Sequence, residues 1–231
     1  MSATWNEGTP PEVPKVSALG WVRAILRGVP MAFAVICGAV LLLALRLIER
    51  PLYGHHRPWT PYIVRIVCQI ALRCLGLRRK TRGSPMTRQG AVVANHSTWL
   101  DIFVLNAGDL IYFVSKDDVA GWPGIGWLAK ITGTVFIARD PRQSKVQTQV
   151  FEDRLLAGHR LLFFPEGTST DNRQVLPFKT SLFAAFQADA LRDMAHIQPV
   201  SLVYHAPDRA CLLYTSPSPR DRTRSRMPSS A

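Results

Sequence analysis

Residues 90–101 read GAVVANHSTWLD, and this stretch decides how the rest of the chain is interpreted. Residues 91–95 form a short apolar run, which is typical of a buried strand. Ser97 is a residue type that caps helices, so a helix is predicted to begin near it. His96 then lies at the end of a strand, and Asp101 lies in the first or second turn of a helix. A strand that runs directly into a helix is the unit of an α/β fold.

The same alternation of strands and helices continues through residues 111–204. Further strands are predicted at residues 111–115, 134–138, 161–165 and 198–204, and further helices at about 144–157 and 182–194. Short apolar strands separated by helices predict an α/β domain whose sheet is flanked by helices.

His96 and Asp101 are the first candidates for chemistry. Five residues along a continuous helix separate two side chains by ~140°, so the pair can meet only if the chain turns at His96–Ser97. Asp101 could then fix the imidazole tautomer and stabilise the imidazolium, as the orienting acid beside a general base does. From this spacing alone, a purely structural His–Asp pair is the simpler interpretation.

Two further segments carry polar groups at strand ends. LLFFPEGTSTD at 161–171 runs from a strand into Glu166, Gly167 and Thr168, where backbone N–H groups and hydroxyls could surround an anion. GTVFIARD at 133–140 carries Arg139 at the end of a strand, where its guanidinium suits phosphate. The alternatives are an ordinary turn with a capping Glu and a surface ion pair of Arg139 with Asp140.

The N-terminal part of the chain is apolar. Residues 28–45 carry no charge over 18 positions, which is the lower limit for spanning a ~30 Å hydrocarbon core. Arg65 and Arg73 interrupt a second apolar stretch at 61–77, which therefore suits the membrane interface. Residues 20–77 are predicted to form a membrane-associated helical hairpin with a polar connection from Glu49 to Pro61. A buried soluble helix is the alternative for 28–45.

Charge and cysteine content narrow the class of protein. The formal net charge is +12, and five cations lie within residues 78–88, directly after the hairpin. Such a run fits anionic lipid headgroups, and no nucleic-acid-binding motif accompanies it. The four cysteines contain no Cys-x-x-Cys pair, so neither a disulfide scaffold nor a metal site is expected.

Taken together and in order, the motifs resemble the glycerolipid acyltransferase family, specifically bacterial 1-acyl-sn-glycerol-3-phosphate acyltransferases. The resemblance covers about residues 20–207. It rests on the block from Asn95-His96 to Asp101, the block ending in Arg139, Phe164 to Thr168, and a Pro-containing strand at 197–204. It implies a glycerolipid-acyltransferase-like α/β sheet behind the membrane hairpin.

The resemblance also implies a reaction. An acyl chain passes from acyl-CoA or acyl carrier protein to the free hydroxyl of 1-acyl-sn-glycerol 3-phosphate, which gives phosphatidic acid. His96 is the general base and Asp101 orients it, with no covalent acyl-enzyme, metal or resident cofactor. The substrate-binding positions that it implies are Asn95, Arg139, Glu166, Gly167, Thr168 and Ser169.

One position departs from the family pattern. Many relatives have Arg directly after Glu-Gly-Thr, whereas this chain has Ser169, so one cation for a phosphate is missing. Arg173 or Lys179 could replace it. Two alternatives to this reaction stay open: an acyltransferase for another lyso-lipid, such as lyso-ornithine lipid, or a catalytically silent basic membrane-binding protein. The expected location is the bacterial inner membrane, with the site facing the cytoplasm.

The ends of the chain complete the predicted organisation. Residues 1–19 are expected to be a flexible tail, and residues 78–210 are expected to be an incomplete acyltransferase domain. Residues 211–231 are rich in Ser, Pro and Arg and can bury no apolar face. We expect this last segment to be disordered and foreign to the native fold, and the natural protein to be longer.

Overall fold

The computed structural model describes residues 16–137, 144–170, 175–180, 183 and 196–205. The chain divides into two units, one formed by Met1–Trp21 with Val203–Ala231 and the other by Val22–Leu202. The described part of the first unit is the start of a helix and residues 203–205, which have no regular secondary structure. The second unit contains the sheet.

Five parallel strands form one sheet with the order β3-β2-β4-β1-β5. The strands are β1 (Gly90–Ala94), β2 (Tyr112–Lys116), β3 (Val135–Ile137), β4 (Arg160–Phe163) and β5 (His196–Val200). The helices are α1 (Ala18–Tyr53), α2 (Thr60–Leu75), α3 (Asp101–Gly108), α4 (Ile125–Thr132) and α5 (Ser144–Leu156), with a short 3₁₀ helix at Asp117–Gly121. The predicted α/β fold is confirmed. The helix predicted at 182–194 and the tail from 211 lie outside the described residues, and the proposed domain division stays a prediction.

The two faces of the sheet are covered by different helices, because side chains alternate along each strand. Leu161 and Phe163 of β4 point to the face where α5 supplies Phe151 and Leu155. Leu162 points to the opposite face, in the cluster that contains Leu105 of α3. The core therefore lies on both sides of the sheet, as a parallel sheet requires.

Helices α1 and α2 form an antiparallel hairpin, as predicted. Arg27 of α1 donates a hydrogen bond to the carbonyl of Leu75 at 3.4 Å, near the end of α2. At mid-length, a Cβ on Gly38 would lie 2.3 Å from Val67, so the helices approach closely where α1 has no side chain. At the other end, Glu49 accepts the N–H of Thr60 at 2.9 Å.

Helix α1 is long and apolar enough to cross a membrane. Large apolar side chains such as Leu26, Phe33 and Leu47 are exposed along it. Helix α1 continues to Tyr53, so the predicted connection from Glu49 to Pro61 was too long. Helix α2 packs against α3 of the α/β unit through Cys68, Leu72 and Ala107. Helix α2 thereby has one face on the α/β unit.

Candidate active site

Two of the predicted site segments meet at the carboxyl edge of the sheet. Strand β1 pairs with β4 in a register that places Val93 beside Phe163. The chain leaves both strands at the same edge, because the strands are parallel. His96 after β1 and the loop from Phe164 to Thr170 after β4 are therefore neighbours. The backbone N–H of Thr170 donates to the carbonyl of His96 at 2.8 Å, which confirms that the two segments are in contact.

His96 and Asp101 form the hydrogen bond that the sequence predicts. Nδ1 of His96 lies 2.7 Å from Oδ2 of Asp101. The Asp101 side chain is fully buried, whereas the His96 side chain stays 22% exposed. The carboxylate that orients the imidazole is thus buried, whereas the imidazole itself remains partly accessible.

The turn between His96 and Asp101 is closed by the carboxylate itself. Oδ2 of Asp101 also accepts the backbone N–H groups of Ser97 at 2.7 Å and Thr98 at 3.1 Å. Helix α3 begins at Asp101 and its N-cap residue is Leu100, so the cap predicted at Ser97 is wrong. Asp101 accepts these N–H groups from the first turn of α3, where its negative charge also complements the positive end of the helix dipole.

This arrangement fixes the tautomer of His96. A carboxylate can only accept hydrogen bonds, so Nδ1 carries the proton and Nε2 presents a lone pair. An imidazole in this state can take a proton from a hydroxyl, and the adjacent carboxylate then stabilises the imidazolium. The geometry therefore suits general-base activation of an alcohol.

The loop after β4 covers one face of the imidazole. Phe164 stacks on His96 with ring centroids 4.1 Å apart and planes 14° from parallel. Gly167 has φ +67°, a conformation that favours glycine, and donates its N–H to the carbonyl of Phe164 at 3.0 Å. Glu166 is buried and accepts the N–H of Leu176 at 3.1 Å. The carboxylate of Glu166 thus holds the loop in place.

Polar groups on the outer side of this loop remain accessible. Thr168 and Ser169 are exposed. Lys179 donates its N–H to the carbonyl of Pro165 at 2.8 Å, and its Cγ lies 3.4 Å from where a Cβ on Gly167 would be. The sequence named Lys179 as a possible replacement for the missing cation, and the structure places it against the predicted substrate-binding loop.

Asn95 has a different set of contacts. Its side-chain N–H donates to the carbonyl of Leu202 at 2.9 Å, and its side-chain oxygen accepts the N–H of Leu202 at 2.7 Å. The amide imitates a peptide group and extends the pairing of β1 with β5. Its predicted contact with substrate stays a prediction.

Three kinds of candidate group remain: further cations, a metal site and a cysteine thiol. Arg139 and Arg173 lie outside the described residues. In the described part of the chain, no three His, Cys, Asp or Glu residues are placed to hold a metal ion. Burial raises the pKa of the Cys68 thiol to about 12, which keeps it protonated and unreactive.

Comparison with known proteins gives one family. The sequence profile of the family described as Acyltransferase matches residues 78–203. A lyso-ornithine lipid O-acyltransferase of Rhodobacter capsulatus is 60% identical over 204 residues, which are 88% of this chain and 74% of that protein. A lyso-ornithine lipid O-acyltransferase of Brucella abortus is 37% identical over 154 residues, which are 63% of this chain and 57% of that protein.

Relatives with another acceptor are more distant. A 1-acyl-sn-glycerol-3-phosphate acyltransferase of Neisseria gonorrhoeae is 35% identical over 127 residues, which are 54% of this chain and 48% of that protein. The matched region contains β1 to β5 and the His96–Asp101 pair. The chain therefore belongs to the acyltransferase family, whose members named here act on lyso-lipids.

Proposed function

We propose that this protein transfers an acyl chain from acyl-CoA or acyl carrier protein to the free hydroxyl of lyso-ornithine lipid. The sequence pointed first to 1-acyl-sn-glycerol 3-phosphate and named lyso-ornithine lipid as the alternative acceptor. The observation that carries the choice is the 60% identity to the Rhodobacter relative, against 35% for the relative named for the phosphate acceptor.

The loop after β4 supports this acceptor. Ornithine is an amino acid and has no phosphate, so its lipid does not need every cation that a phosphate dianion attracts. Ser169 stands where many relatives have Arg, and it is exposed. Lys179, which lies against this loop, remains available for a single carboxylate. A site with fewer cations matches a headgroup of lower negative charge.

The chemistry follows from the His96–Asp101 pair. Nε2 of His96 takes the hydroxyl proton as the hydroxyl oxygen attacks the thioester carbonyl. The carbon–sulfur bond then breaks, and the thiolate leaves with the proton from the imidazolium. Asp101, 2.7 Å from Nδ1, holds the tautomer and stabilises the charge while the proton resides on the ring.

We infer the membrane location from helix α1 and from the lipid and acyl-donor substrates. Helix α1 and the lipid-acyltransferase relatives indicate association with a membrane. We place the site on the cytoplasmic side of the bacterial inner membrane, where acyl-CoA and acyl carrier protein are found. Full-length protein should then resist extraction by high salt and require detergent, whereas release by salt alone would contradict the anchor.

A competition assay tests the acceptor. Purified full-length protein receives radiolabelled acyl donor with equal amounts of lyso-ornithine lipid and 1-acyl-sn-glycerol 3-phosphate. We expect the label chiefly in ornithine lipid. Label chiefly in phosphatidic acid would favour the second candidate, which the Neisseria relative supports. No transfer to either acceptor would favour a silent membrane-binding protein, against which the intact His96–Asp101 pair argues.

A further inference from the structure

Phe164 lies flat against the imidazole of His96. Their ring centroids are 4.1 Å apart and their planes differ by 14°. Edge-to-face and offset arrangements are also available to aromatic pairs, so a near-parallel contact reflects how both rings are held. His96 follows β1 and Phe164 follows β4, and the pairing of these strands brings the two rings together.

The sheet fixes Phe164 independently of any substrate. Its side chain is partly buried and packs against the cluster formed by Val92, Ala94, Leu105, Ile111 and Leu162. On β2, the ring of Phe113 lies 6.0 Å away. The side chain of Phe164 is therefore held in a fixed position against one face of the imidazole.

The imidazole is restrained in two perpendicular directions. Asp101 holds one edge of the ring through Nδ1, which determines how Nε2 is directed within the ring plane. Phe164 covers one face of the ring, which restricts rotation out of that plane. A carboxylate alone leaves the second rotation free, because the ring can turn about the axis of one hydrogen bond.

We propose that Phe164 is a positioning residue for acyl transfer, which orients the ring of His96 and stabilises the imidazolium formed when His96 takes the hydroxyl proton. This inference rests on the proposed function for its kinetic consequences. The face of an aromatic ring carries partial negative charge and attracts a cation placed over it. The contact is therefore stronger when His96 is protonated than when it is neutral.

The test compares Phe164→Leu with a matched control, Phe113→Leu, in the full-length protein in detergent. Both changes remove a ring and keep an apolar side chain, but the described contacts place only Phe164 against His96. For Phe164→Leu we expect kcat to fall about 2- to 30-fold, with KM for donor and acceptor nearly unchanged. The acidic limb of the pH profile should move to lower pH, and Phe164→Tyr should restore both.

A purely structural role predicts a different pattern. Lower stability with wild-type kcat and pH profile in folded Phe164→Leu, or equal effects of Phe113→Leu, would overturn the proposal. A change confined to KM would assign Phe164 to substrate binding instead. If the wild-type protein transfers no acyl group, the proposed function fails, and ¹³C relaxation at Cε1 of His96 still decides: an equally ordered ring in wild type and Phe164→Leu would overturn the positioning role.

Discussion

Nδ1 of His96 lies 2.7 Å from Oδ2 of Asp101, and this one carboxylate oxygen also accepts two backbone N–H groups of the intervening turn. The carboxylate therefore shapes the backbone that carries His96 and holds the imidazole tautomer. Both tasks require an acceptor at the same position.

Asp101→Asn should lower kcat by roughly 10²–10⁴-fold, the range of a general base. An amide oxygen at this position can accept the same hydrogen bonds but carries no charge to stabilise the imidazolium, and an amide N–H there would instead select the tautomer with the proton on Nε2 and remove the base. Steady-state rates at saturating substrate, with circular dichroism to confirm folding, test this. A folded Asp101→Asn variant with near-wild-type kcat would show that catalysis does not need the charge of the carboxylate.

Ser169→Arg should shift acceptor preference toward 1-acyl-sn-glycerol 3-phosphate by about 10- to 150-fold. Ser169 is exposed, so a longer side chain has room, and a charge-assisted hydrogen bond to phosphate contributes about 1.5–3 kcal/mol. The ratio of kcat/KM values for the two acceptors measures the shift. Ser169→Gln is the neutral control, and an equal effect of Gln would refute the role of charge.

Lys179→Gln should raise KM for the acceptor about 2- to 10-fold and leave KM for the donor unchanged. The Lys179 N–H donates to the carbonyl of Pro165, and its aliphatic side chain lies against Gly167. The Lys179 side chain therefore lies beside the loop that follows β4. Initial rates with each substrate varied in turn separate the two constants. Lys130→Gln, an exposed change on α4, is the control. A raised donor KM would assign Lys179 to the acyl donor.

His159→Phe should stabilise the protein, most strongly below pH 6.5. His159 is 4% exposed, and within the described residues neither ring nitrogen has a hydrogen-bond partner. Burial, reinforced by the charge of Arg154, lowers the pKa of His159 from 6.5 to about 3. Between these values the unfolded chain binds a proton that the folded chain does not, so stability falls with falling pH, by up to ~1.4 kcal/mol per unit.

Phenylalanine removes that proton-binding group and keeps a ring against Tyr112, whose centroid lies 4.2 Å from that of His159. Urea unfolding in detergent from pH 4 to 8 measures the effect. The exposed change His205→Phe, at a residue that does not influence the pKa of His159, should keep the wild-type slope. An unchanged slope in His159→Phe would mean that His159 is not buried in its neutral form.

The sequence predicted local features well. Apolar runs located all five strands within one or two residues at most boundaries, because buried parallel strands are short, apolar and followed by polar loops. The His96–Asp101 hydrogen bond was also predicted, since a turn at that point is the only way for the two side chains to meet. The start of α3 was not, because the Asp101 carboxylate accepts the N–H groups of Ser97 and Thr98 in a turn that precedes the helix.

Contacts between distant segments could not be predicted. The stack of Phe164 on His96 depends on the register of β1 with β4, which no local pattern encodes. The surroundings of His159 likewise combine β2, α5 and the start of β4. Asn95 was assigned to substrate from the family resemblance, whereas its contact with Leu202 required the position of β5.

The most direct test of general-base acyl transfer is the rate of the purified His96→Ala protein with labelled donor and lyso-ornithine lipid. A matched control, His55→Ala, removes an exposed imidazole from the connection after α1. We predict a fall of roughly 10²–10⁴-fold for folded His96→Ala and a wild-type rate for the control. A folded His96→Ala protein that transfers acyl groups at the wild-type rate would contradict the account.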